Sequence, residues 1–231
     1  MSYPKPDNEA KRLEALRHYH ILDSAPEQGF DDFVQIASFV CETPIALITL
    51  VDSTRQWFKA RVGVSITETP REHAFCSYTI LGEETMIVTD ATKDERFSSN
   101  PLVTGNPNIR FYAGVPLIDH EGFALGSLCV IDRQPRHLTP GHYKTLEALS
   151  RKITLQLEMR RTADELVTAL ADIKTLHGLL PICPHCKGIR NDAGYWQSVE
   201  SYLESHTEAH LNQSVCPKCF HSHSLDLAPG D

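Results

Sequence analysis

The sequence predicts an α+β fold: a central antiparallel sheet flanked by helices, followed by a long helix and a small tail rich in paired cysteines. Three observations carry this expectation. Two stretches with apolar residues at helical spacing come before any strand-like run. The apolar runs IALITLVD (45–52), FYAGVPLID (111–119) and ALGSLCVID (124–132) have strand length, and the last two are joined by a hairpin signal. From Gly141 to Leu180 the pattern turns helical, and two C-P-x-C units follow.

The elements follow in order. Glu9, Leu13, Leu16 and His20 recur at helix spacing, with Asn8 placed to cap the start. A second helix follows Pro26, with Phe30, Phe33, Val34, Ala37 and Val40 as its stripe, and ends before Pro44. Residues 45–52 are nearly all apolar, which places this strand centrally in a sheet covered on both faces. QWFKARVGV (56–64) reads as its hairpin partner. AFCSYTILG reads as a short helix, MIVTD (86–90) as a short strand, and a loop rich in Asp, Ser, Asn, Pro and Gly runs on to about Ile109. HEGF joins the last two of five strands, because Gly122 can take a positive φ.

Composition bounds the function. A chain of 231 residues with 41% hydrophobic and 23% charged residues can bury a sizeable core and has room for one medium domain and an appendage. No stretch reaches the roughly 18–20 apolar residues that span a bilayer, and MSYPKPDNEAKRLEALRHY lacks the apolar core of a signal peptide. The expectation is a cytoplasmic protein with no membrane partner. In a reducing compartment the seven cysteines read as buried, metal-bound or reactive, not as a disulfide framework. A net charge of −8 weighs against nucleic acid as a partner.

Five blocks carry a resemblance: RQWFKARVGV (55–64), TPREHAFCSYTI (69–80), DATKDERFSSNPLV (90–103), IRFYAGVPLI (109–118) and GSLCVIDRQPRHLT (126–139). In this order, over residues 10–160, they resemble the GAF domains of bacterial signalling proteins. The resemblance implies a sheet with helices on one side and a small-molecule pocket on the other, roofed by the segments between the second and fourth strands. Aromatic residues concentrate in or beside those segments, with a few polar groups among them, as a ligand site requires. Trp57, Phe75, Cys76, Asp90, Asn100 and Tyr112 are the candidate ligand-binding residues. Phe58 and Phe111 are more readily core residues, and Asp90 and Arg96 could equally cap the short helix or pair with each other at the surface.

Cys76 invites redox or chromophore chemistry. Bilin-binding relatives attach the chromophore through a cysteine followed directly by histidine, whereas Ser77 follows here. Cys41 and Cys129 sit in apolar runs and read as core. No nucleophile elbow, phosphate-cradling glycine loop or kinase motif is present, so the expectation is a non-catalytic module. The alternative is a thiol-based redox sensor or reductase that uses Cys76 or the C-x-x-C pairs.

Leu146, Leu149, Ile153 and Leu157 form one helical face, and Leu166, Leu170, Ile173 and Leu180 continue it. The first part reads as the last helix of the sensor. Residues 161–180 read as a linker forming a parallel coiled coil in a homodimer, as the resemblance also implies. In the tail, 181–222, Cys183 and Cys186 pair, as do Cys216 and Cys219, with 29 residues, 187–215, between the pairs. Two such knuckles fit one tetrahedral zinc ion, and an iron–sulfur centre would use the same ligands. LLPICPHCKGIRNDAGYWQSVESYL resembles a tail found on bacterial response regulators and sensory proteins, which points to a signalling partner.

Overall fold

The computed structural model describes residues 3–177, 181–191, 194–206 and 214. These divide into two compact units, residues 1–167 and 168–231.

The first unit is a six-stranded antiparallel sheet in the order β3-β2-β1-β6-β5-β4. It comprises β1 (Ile45–Val51), β2 (Arg55–Val62), β3 (Glu68–Pro70), β4 (Met86–Val88), β5 (Phe111–Ile118) and β6 (Ala124–Asp132). The α+β expectation holds, with a sixth strand, β3, where an irregular stretch was expected. Strand β1 is central and wholly buried, as its apolar run required. The β5–β6 hairpin closes through Gly122, at φ +86°.

Alternation along the strands separates two cores. Ala46, Ile48 and Leu50 on β1 join Phe111, Val115 and Leu117 on β5 under the helical layer. That layer consists of α1 (Glu9–His18), α2 (Gln28–Cys41) and the first half of α5 (Pro140–His177), whose Leu146, Ile153 and Leu157 are buried. On the other face, Ile45, Leu47, Cys129 and Ile131 pack beneath α3 (Cys76–Thr79) and the loop 89–110, which carries α4 (Pro101–Thr104).

Helix α1 is shorter than its apolar spacing implied. It ends at His18, and His20 takes φ 46°, while Arg12, Ala15 and Leu16 form the buried stripe. Asn8 stands at the N-cap position without a side-chain capping bond. Arg160, which interrupts the apolar stripe of α5, donates to the carbonyls of Tyr19 and His20 and pairs with Glu27. Beyond it, Leu166, Val167 and Leu170 are exposed. Among the described residues, no helix is long and apolar enough to cross a membrane.

In the second unit, β7 (Ile189–Arg190) pairs with β8 (Trp196–Gln197), and α6 (Val199–His206) follows.

Candidate ligand-binding site

The roofed face of the sheet holds a cavity of about 50 Å³, bounded by β1, β2, β3, β5, β6, α3, α4 and the loops beside them. Its walls are largely apolar and include Leu47, Phe58, Phe75 and Ile109. Phe75 stacks on Phe97 with ring centroids 3.9 Å apart, and Tyr78 meets Phe97 edge-on at 4.9 Å. This aromatic stack fixes the roof above the sheet.

Polar groups converge at one point of the wall. Cys76 Sγ lies 3.0 Å from Ser127 Oγ, 3.3 Å from Thr49 Oγ1 and 3.2 Å from Tyr112 OH, and Tyr112 OH is 2.7 Å from Thr79 Oγ1. Gly114 makes room for this arrangement, since a Cβ there would come within 2.1 Å of the Tyr112 hydroxyl. Burial alone would raise the Cys76 thiol. Hydrogen bonds from Cys129, Ser127, Thr49 and Tyr112 outweigh it and bring the group down to about 7. The hydrogen bond to Cys76, together with burial, raises Cys129, which therefore stays a thiol.

The six sequence-derived ligand residues part company here. Phe75, Cys76 and Tyr112 line the cavity. Trp57 does not: its cross-strand partner is Leu50, and both face the helical layer. Adjacent strand residues point to opposite faces, so Trp57 and Phe58 cannot share one cavity, and Phe58 is the one that lines it. Asn100 is a fastener of the roof. Its oxygen caps α4 at Leu102 N (2.9 Å), and its amide donates to the His73 carbonyl (3.0 Å). Asp90 holds a surface turn through Thr92 and an ion pair with Lys93, while Arg96 pairs with Asp94.

Gln56 and Thr69 also line the cavity and were not singled out from the sequence; nor were Thr49 and Ser127 beside Cys76. The last two carried a readable signal, being polar residues at buried positions of otherwise apolar runs.

A sheet with helices on one face and a roofed cavity on the other defines the class, and residues 25–157 match the GAF domain family. The chain belongs to that family. A cyclic di-GMP phosphodiesterase of Pseudomonas aeruginosa is 42% identical over 162 residues, which is 70% of this chain and 28% of that protein. The PixJ GAF domain of Thermosynechococcus elongatus, in its blue-light absorbing form, has TM-score 0.51 at 16% identity, covering 69% of this chain and 95% of that one. A free methionine-R-sulfoxide reductase of Neisseria meningitidis with its substrate has TM-score 0.50 at 16% identity, covering 71% and 98%. At such identities the two structures speak for the fold alone. The Pseudomonas relative corrects the expectation that this chain is not an enzyme, because a protein this similar bears an enzyme's name. The absence of familiar short motifs was too weak a ground for that expectation.

In the second unit, Cys183 and Cys186 stand on one tight turn. Cys183 N–H donates to the Gly188 carbonyl, Lys187 N–H donates to the Cys183 carbonyl, and Lys187 takes φ 60°. The backbone and the side chain of Cys186, itself exposed, hydrogen-bond the Cys183 thiol, a proximity that suits a pair of thiolate metal ligands. Cys216 and Cys219 lie outside the described residues. Among the described residues no group of three or more ligating side chains forms.

Proposed function

We propose that this chain is the sensory part of a signalling system that controls cyclic di-GMP turnover. The roofed cavity takes a small ligand, and α5 carries the signal outward. The 42% identity to a cyclic di-GMP phosphodiesterase over 70% of this chain is the observation that carries the reading. The match spans 28% of that relative, so the activity in its name comes to this chain only as a proposal. The exposed Leu166, Val167 and Leu170 support a parallel homodimer through the second half of α5. The Cys183–Cys186 turn supports one zinc ion shared with Cys216 and Cys219, and thiols in such numbers suit the cytoplasm.

Two measurements test the reading. Purified chain is incubated with cyclic di-GMP and a divalent cation, and the product is followed by chromatography. In cells, the cyclic di-GMP pool is compared between the natural chain and Cys129→Phe, which fills the cavity from the β6 side. A pool that moves with the natural chain and not with the variant supports the proposal. A pool indifferent to both, with no hydrolysis in vitro, removes it.

The convergence of three hydroxyls on Cys76 Sγ favours a second reading, in which Cys76 acts as a reactive thiol. Alkylation by iodoacetamide is then half-maximal near pH 7 at Cys76. Cys41, pushed up by burial to about 11, resists until far more alkaline pH. Equal alkylation profiles at the two cysteines would remove this reading.

A further inference from the structure

Two polar atoms of the cavity wall have no hydrogen-bond partner in the protein: Gln56 Oε1 and Thr69 Oγ1. Both side chains are more than nine-tenths buried, at 6% and 8% exposure. They belong to directly opposed residues on β2 and β3, so both orphans belong to one wall of the cavity. A buried polar group left unpaired is destabilising, and two in one cavity wall mark a place where something else completes the bonding.

The rest of the wall limits what that is. None of the residues lining the cavity is Lys, Arg, His, Asp or Glu. An anion or cation buried there would meet no counter-charge, and an unpaired buried charge is far more costly than an unpaired amide. The volume, about 50 Å³, is well below the roughly 300–1,000 Å³ of sites for drug-sized ligands.

We propose that the cavity binds a small uncharged molecule of a few non-hydrogen atoms, with a hydrogen-bond donor and acceptor on a short apolar stem, such as a primary amide or an alcohol. Its donor reaches Gln56 Oε1, its acceptor takes the Thr69 hydroxyl, and its stem lies among Leu47, Phe58 and Ile109. Phosphorylated nucleotides and carboxylates are excluded from this cavity. The inference rests on reading the chain as a small-molecule sensor and deepens that reading.

A pair of probes that differ in charge and hardly in shape, propionamide and propionate, tests this on the full chain by amide-resolved NMR. Propionamide at tens of millimolar should shift the resonances of Gln56, Thr69 and Cys129 in a saturable way, and propionate should leave them in place. Gln56→Leu, which keeps the volume and removes the acceptor, should weaken propionamide about five- to tenfold, the loss of one net hydrogen bond. Thr69→Val gives the same reading should Gln56→Leu fail to fold. Equal shifts with propionate would overturn the claim of neutrality. No shift with either probe would leave water as the occupant and overturn the site. If propionamide binds as stated while the cellular cyclic di-GMP pool ignores Gln56→Leu, the ligand class stands and the proposed control of turnover fails.

Discussion

At the scale of single residues, the buried charges carry the sharpest consequences. Glu9 binds two guanidiniums that are both fully buried, Arg12 at 2.9 Å and Arg71 at a still closer contact. Burial alone would raise the Glu9 carboxyl, but its hydrogen bonds to Arg12 and Arg71 overcome this and hold it at about 2, against an ordinary 4.5. A depressed carboxyl contributes stability that is complete above the unfolded value and is lost as pH falls through the folded one. The Glu9 contribution is therefore lost between about pH 4.5 and pH 2. Glu9→Gln leaves two buried cations without their anion and should cost about 3–5 kcal/mol at pH 7 in urea denaturation. The same variant should flatten the acid limb of the stability curve. Tyr112 calls for a gentler change. It is 1% exposed near the start of β5, so truncation to alanine would open the core, whereas Tyr112→Phe removes only the hydroxyl shared with Cys76 and Thr79. That variant should cost about 1–3 kcal/mol and raise the pH at which Cys76 alkylates, since one donor to its sulfur is gone.

At the scale of elements, strands were legible where apolar runs were long, and helices where the stripe was regular. β1, β5 and β6 announced themselves by long, largely apolar runs, and α2 by Phe30, Val34 and Ala37. β3 did not, because three residues with one buried side chain carry no period, and its pairing with β2 is set by tertiary contact. The cavity was legible as a segment and less so residue by residue. Phe75, Cys76 and Tyr112 were found by their chemistry, but Gln56 and Thr69 lie opposite one another only after β2 and β3 pair, which no local pattern encodes. The bulge in β2 illustrates the same limit. Ile48 faces Ala60 and Thr49 faces Phe58, so Lys59 is the extra residue, and its amine reaches Ser24, Ala25 O and Glu27. The long helix carries a prediction of its own. Leu146, Ile153 and Leu157 are consumed by the domain, whereas Leu166, Val167 and Leu170 are presented outward after Arg160 and Arg161. Replacing Leu166 and Leu170 together with lysine would put charge into any seam they form. Sedimentation should then show a dimer for the natural chain and a monomer for the double variant, with an unchanged far-ultraviolet spectrum. A natural chain that sediments as a monomer would reject the dimer.

At the scale of the whole molecule, the two units differ in what holds them together. The first buries two continuous cores against the two faces of a six-stranded sheet. In the second, the described strands are two residues each, Trp196 and Tyr195 are exposed, and Ile189 is the one described apolar side chain that is fully buried. Among the described residues little apolar surface is buried, and a metal that ties four thiolates together would add to the stability of the segment. Zinc content and unfolding should therefore be separable between the units. Cys183→Ser removes one proposed ligand on a turn that the backbone already shapes, so the change acts on the metal and not on the turn. The variant should lose stoichiometric zinc by elemental analysis, and protease should cut it after about Pro181. The main thermal transition should stay close to that of the natural chain, because the sheet and its helices have cores of their own. Stoichiometric iron with visible absorption in the natural chain would replace zinc by a cluster. A variant whose tail stays protected without metal would show that the second unit draws its stability from packing after all.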